Sequence, residues 1–193
     1  MIAVASQSNP AVPHLKRWNL WVDGCGGFTI LDGDRWTLGN AGGDADIRIH
    51  ADCPRDAATL QRVEDDYFLT CEGKRSLCVG GTEIAIPGSA RPVFHRPSPL
   101  SPTATVQLRP PHRFSGHVDG LVLWAGTLLI GPTSDCHLRV PSLTSRWVIT
   151  RQQDQGQNTW TIGKVGSSTR AVLAIGVRNN LDQFAVTLEE ISS

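Results

Sequence analysis

Apolar and polar residues alternate along this chain in short bursts, each closed by glycine, proline or aspartate, which is the pattern of strands and turns. From Arg17 the run W-N-L-W-V alternates before the turn D-G-C-G-G, and F-T-I-L then leads into a second turn at 32–34. Two strands and a hairpin are the economical reading. Further strands are predicted at 36–38, 46–49, 58–63 and 67–71, then S-L-C-V and T-E-I-A-I on either side of Gly80-Gly81, and 104–108, with 87–102 as loop. Beyond residue 114 the same pattern predicts strands at 120–123, 127–130, 137–140, 147–151, 159–162, 171–175 and 184–188, with a polar hairpin tip at 154–158. Long runs of Ala, Glu, Lys and Leu are missing, so helix is expected to be scarce.

One stretch of this pattern occurs twice. R-W-T-L-G-N-A-G-G-D-A-D-I-R-I at 35–49 is echoed by T-L-L-I-G-P-T-S-D-C-H-L-R-V at 127–140, and each follows a V-D-G, at 22–24 and 118–120. The V-D-G markers recur 96 residues apart, the length of a small domain. Two copies of one β module follow, with expected bounds of 17–110 and 114–191, a leading arm at 1–16 and a proline-rich linker at 111–113. In both copies a glycine, Gly39 or Gly131, ends a hydrophobic strand, where a positive φ would let the chain leave the sheet sharply. Ile47, Ile49, Leu138 and Val140 should face the core, and Arg48 and Arg139 outward.

These residues resemble the forkhead-associated domain. The likeness rests on Leu38-Gly39, the strand Asp46-Ile47-Arg48-Ile49, the segment P-R-D-A-A-T-L at 54–60 and Gly80-Gly81, and it covers most of the chain as two tandem copies. It implies an all-β fold of two tandem β-sandwiches of short antiparallel strands, whose ordinary members bind phosphothreonine peptides through end loops. The departures fall on the family's ligand positions. Asn40 stands where the phosphate-binding arginine would be, Pro54 at the serine, Ala57 at the loop-propping histidine and Gly80 at the asparagine beside Gly81, so only Arg55 survives. In the second copy Pro132 follows Gly131, Leu143 takes the serine position and Arg146 the histidine position, while Ser142, Thr144, Ser145 and Arg146 gather hydroxyls and one cation. A phosphate dianion needs charge-assisted donors, which asparagine and proline do not supply. The resemblance thus implies a non-enzymatic module for protein–protein interaction, scaffolding or signalling, that holds a protein or peptide partner. A phosphothreonine reader using Arg55 or Arg146 is the alternative, and a hydrolase with a cryptic triad the second.

Composition narrows the remaining classes. The 193 residues carry 18 basic and 18 acidic side chains, so no global field favours nucleic acid or an anionic membrane. Five cysteines, Cys25, Cys53, Cys71, Cys78 and Cys136, form no C-x-x-C pair and read as free, mostly buried thiols, which suits a cytoplasmic protein. No stretch reaches the roughly 18 apolar residues of a membrane span, and residues 1–13 lack a secretory leader's pattern. No cofactor, metal set or catalytic constellation is indicated: G-x-S-x-G is missing, and the histidines and cysteines lack paired knuckle spacing. The segment 84–118 holds four arginines and seven prolines with no acidic residue, and reads as a solvated, stiffened connector. The strand tryptophans Trp21, Trp36, Trp124, Trp147 and Trp160 suit core packing, an outward one being a partner contact.

Overall fold

The computed structural model describes residues 16–99, 101–154 and 157–191; of the expected arm at 1–16 only Lys16 lies within them. Nineteen strands and no helix occur among the described residues. The chain begins with β1 (Arg17–Val22), β2 (Gly26–Leu31), β3 (Arg35–Asn40), β4 (Ile47–His50), β5 (Ala58–Val63), β6 (Asp66–Cys71) and β7 (Lys74–Leu77). Short strands β8 (Thr82–Glu83), β9 (Val93–His95), β10 (Ala104–Gln107) and β11 (Arg113–Phe114) follow. Then come β12 (Gly120–Leu123), β13 (Thr127–Gly131), β14 (Leu138–Arg139), β15 (Trp147–Asp154), β16 (Gln157–Lys164), β17 (Ala171–Val172), β18 (Arg178–Asn180) and β19 (Ala185–Ile191). Of the predicted hairpin tip at 154–158, Asp154 pairs with Gln157 and Gln153 with Asn158, and residues 155 and 156 lie outside the described residues.

The protein is all-β, in three sheets. The repeated sequence builds a repeated arrangement: β4-β3-β5-β6 runs through the six-stranded sheet and β14-β13-β15-β16 through the five-stranded one. In each, the strand that carries the shared glycine at or next to its end pairs in parallel with the strand after the loop. Gly39 stands opposite Arg48, and Gly131 opposite Arg139.

The eight-stranded sheet, in the order β18-β19-β1-β2-β12-β10-β9-β8, draws strands from both halves of the chain. Strand β1 pairs with the last strand over six residues, from Arg17 opposite Ile191 to Val22 opposite Val186. Strand β12 pairs in parallel with β2, Gly120 standing opposite Phe28 and Leu123 opposite Leu31. Alternation then sends neighbouring side chains to opposite faces. Trp18, Leu20 and Val22 of β1, with Phe28, Ile30 and Val122, join Trp147, Ile149, Trp160 and Ile162 in one core, whereas Leu31, Leu121 and Leu123 join Trp36, Leu38, Leu60 and Tyr67 in the other. Residues 111–113 are thus no break in bonding or packing. Arg113 and Phe114 pair with His50 and Ile49, and the Phe114 ring is buried among residues of the first half.

Two further expectations change. The stretch expected to be loop, 87–102, contains β9, buries Phe94, Ser98 and Ser101, and sends its arginines to internal partners. Arg91 donates to the carbonyls of Gly88 and Ala90 at 2.8 and 2.7 Å, Arg96 to the Asp65 carbonyl, and Arg109 pairs with Glu83 at 3.1 Å. It is a structural segment whose two arginines, Arg91 and Arg96, are already bonded, as is Arg109 beyond it. The strand predicted at 171–175 shrinks to β17, because Val172 and Ile175 lie on the surface.

Of the six tryptophans, five are buried and Trp21 alone reaches the surface, 37% exposed. Trp160 meets Trp18 and Trp124 edge to face at 5.1 and 4.8 Å. The Arg151 guanidinium lies 5.1 to 5.7 Å from the three ring centres and is held by Asp32, with Nη1 2.8 Å from one carboxylate oxygen and Nη2 3.0 Å from the other. The carboxylate and the indole faces offset the cost of burying this cation, while Nη1 meets the carboxylate as a close ion pair and makes no aligned hydrogen bond. Because β15 carries Arg151 and Asp32 directly follows β2, this pair also ties the two copies together.

A second tie is His137, 3% exposed between β13 and β14. Its Nδ1 accepts the Leu129 N–H at 2.9 Å, which leaves Nε2–H to donate to the Thr103 carbonyl at 3.0 Å. Burial pushes its pKa down to about 4, against the opposing pull of the Thr103 bond. An unfolded histidine takes its proton near pH 6.5, so between about 6.5 and 4 the unfolded chain binds more protons than the folded one. Stability is therefore expected to fall as pH drops through that window, by about 3 kcal/mol in all. Urea midpoints from pH 7.5 to 4.5 measure it, and the slope should flatten in His137→Gln; an equal slope in that variant would assign it elsewhere.

Candidate functional site at the loop tips

At the first tip Gly39 is the penultimate residue of β3, and its φ lies outside the left-handed region, so the expected reason for this glycine is corrected. What matters is a close approach: a Cβ on Gly39 would stand 1.6 Å from the Arg55 carbonyl oxygen. The loop after β4 therefore lies directly on the strand end. Asn40 completes the join. Its backbone N–H donates to the Pro54 carbonyl at 3.0 Å, its Nδ2 donates to the Cys53 carbonyl at 2.9 Å, and its Oδ1 accepts the Gly42 N–H at 3.0 Å. Both ends of the amide are engaged within the loop.

The other predicted residues of this tip divide. Ala57 is buried and its N–H donates to the Leu38 carbonyl at 2.8 Å, a backbone role needing no histidine. Pro54 and Arg55 are exposed, and the Arg55 guanidinium has no bonded partner among the described residues. Asp52 and Asp56 flank it in the chain. The buried Cys53 thiol has its pKa raised by that burial and, secondly, by Asp52. Gly80-Gly81 forms its turn elsewhere: Gly81, at φ +81°, donates to the Phe94 carbonyl at 2.8 Å, whereas the 52–55 loop is bonded to β3 and to Ser89.

The second tip is neutralised by its own residues. Arg146 Nη1 bonds Asp135 at 2.7 Å, and the other Asp135 oxygen takes the Thr133 hydroxyl. The Thr133 hydrogen bond first, and the Arg146 guanidinium after it, hold the Asp135 carboxyl below the usual carboxylate range. Thr144 and Gln183 exchange hydrogen bonds at 3.1 and 2.6 Å, Leu143 is buried, and Ser142 and Ser145 remain near the surface. Gly131 again permits close approach, since a Cβ there would lie 2.8 Å from Cys136 Sγ and 3.0 Å from Arg146 Cγ.

Sequence reasoning placed Arg146 and missed Asp135 as its partner, although an acidic residue in the loop after the shared glycine was visible in T-S-D-C. It also missed Asp32 and Arg151, for which no local pattern exists. The five cysteines are free thiols, and burial pushes Cys25 and Cys78 up to about 11, so both are protonated and poorly nucleophilic at neutral pH. Among the described residues no group of three His, Cys, Asp or Glu is placed to hold a metal. Ser115 Oγ lies 3.4 Å from His50 Nε2, an exposed pair in which no carboxylate among the described residues bonds the other ring nitrogen. No helix long and apolar enough to cross a membrane occurs among the described residues.

Fold and tips together define an all-β protein with two similar loop ends, each closed by its own hydrogen bonds. Comparison of the chain with known protein families, with curated proteins and with solved structures finds no match.

Proposed function

We propose that the chain is a non-enzymatic protein-binding scaffold, built on two forkhead-associated-like copies whose phosphothreonine corners no longer grip phosphate. The observation that carries this reading is the internal engagement of the groups at those corners: the Asn40 amide bonds Cys53 and Gly42, and Arg146 bonds Asp135. A phosphate would have to displace bonds already made there, and a neutral amide offers it weaker donors than a guanidinium fork. The partner is a protein or peptide read by surface complementarity at the end loops 54–57 and 142–146. Five unpaired thiols suit the reducing cytoplasm as the place of work.

Calorimetric titration of the full chain with phosphothreonine peptides and their unphosphorylated counterparts tests the proposal. Equal, weak responses are expected. A preference of more than about tenfold for the phosphorylated form, equivalent to one charge-assisted bond, would overturn it. Arg55 supports the second reading, a weakened phosphate reader, because its guanidinium is exposed and has no bonded partner among the described residues. In that case the preference should vanish in Arg55→Gln.

A further inference from the structure

Away from both tips, a cleft of about 200 Å³ opens where the six-stranded sheet stops short of the β1 side of the eight-stranded sheet. We propose that this cleft binds a small organic anion, a carboxylate or phosphate carried on a compact apolar body. The alternation of β1 creates one wall. Trp18 and Leu20 point into a core, so Arg17 and Asn19 point the other way, beside Thr29 of β2. Asp46, Arg48 and Ser115, from the start of β4 and the end of β11, form the opposite wall. Ser115 is set beside Arg48 by its own N–H, which donates to the Arg48 carbonyl at 2.9 Å.

The acceptors facing this space are already satisfied. Asp46 Oδ2 takes the Thr37 N–H and hydroxyl, both at 2.9 Å, while Oδ1 lies 3.2 Å from Arg17 Nη2. Asn19 Oδ1 takes the Thr29 hydroxyl at 2.9 Å. Nearby Glu189, opposite Asn19 on β19, is held by the Trp21 indole N–H at 2.9 Å. Donors remain: the Arg48 guanidinium, which has no bonded partner among the described residues, the other N–H groups of Arg17, and the Asn19 amide. Two guanidiniums against one carboxylate leave the lining positive, the sign that attracts an anion.

The apolar part of the ligand follows from the rest of the lining. Leu31 and Leu121 belong to the adjoining core and, 1% and 4% exposed, lie at the base of the cleft as its floor, with the half-buried Ile191 also in the lining. A space of this size accommodates a single ring: a cavity of about 150 Å³ lined by apolar side chains takes up benzene. A bare inorganic ion would leave that floor wet, whereas an aryl or short acyl anion covers it while its charged end meets Arg48 and Arg17.

The test is an amide NMR titration of the full chain with benzoate, phenyl phosphate and neutral benzamide. Saturable shifts are expected at Asn19, Thr29 and Leu121 with both anions, at least tenfold tighter than with benzamide, and the tighter of the two names the natural anion. Arg48→Gln should weaken anion binding at least fivefold and leave benzamide unchanged, Arg48→Lys should keep most of it, and Arg55→Gln should have no effect. The proposal is overturned by no saturable shift with either anion, by benzamide binding as tightly, or by anion binding that survives Arg48→Gln. Anion binding abolished by Arg55→Gln would also overturn it and place the site at the first tip.

Discussion

Residues 114–193 produced without the rest of the chain are expected to stay unfolded, with narrow amide dispersion and no cooperative thermal transition. In the whole protein β19 lies between β18 and β1, and β12 between β2 and β10, so in the fragment β19 keeps only the three-residue β18 and β12 loses both neighbours. Its core also loses Trp18, Leu20, Val22, Phe28 and Ile30. Burying a large apolar side chain contributes roughly 1.5–3 kcal/mol, so five of them amount to about 10 kcal/mol. Net stabilities of whole domains are roughly 5–15 kcal/mol, and the loss therefore matches the margin. Exposed edges of β12 and β19 would add an aggregation hazard. A well-dispersed spectrum with a sharp melting transition for this fragment would show that the shared strands are dispensable.

Gly39→Ala is expected to destabilise the protein by about 3 kcal/mol or more, and Gly131→Ala by about 1 kcal/mol. The two glycines occupy equivalent positions, yet their surroundings differ in kind. A methyl on Gly39 meets the Arg55 carbonyl, a backbone atom fixed by the bonds from Asn40 to Cys53 and Pro54. Relief requires moving the whole 53–57 loop. A methyl on Gly131 meets a thiol and an arginine methylene, side-chain atoms that can rotate aside. Denaturant melts of both variants check the ordering, and equal losses would refute the close-approach account. The Gly39 variant should also disturb Ala57, whose N–H bonds Leu38.

The period-two pattern located β1 to β6, β10, β12, β13, β15, β16 and most of β19, because those strands put one face into a core and their composition says so. Of the predicted T-E-I-A-I run only β8 formed, and the short strands β9, β11 and β18 escaped: two or three residues carry too little alternation to register. At the tips, the loss of the phosphate-binding cation at Asn40 could be read from spacing against the family pattern. The use to which Asn40 is put could not, since Cys53 lies thirteen residues away across a loop whose path only the folded backbone defines. Arg146 and Asp135 form a similar case, separated by eleven residues and joined by β13 and β15.

The amino-acid sequence alone determined an all-β chain with a duplicated glycine-ended strand motif, because side-chain alternation and turn chemistry are local properties. Which strands became neighbours was decided only in three dimensions. The pairing of β1 with β19 and of β2 with β12 depends on both faces of one sheet being buried at once, a condition no local window contains. The same holds for the donor-rich cleft beside Arg17 and Arg48. Its character comes from acceptors satisfied by distant partners, and that accounting exists only once the sheets have met.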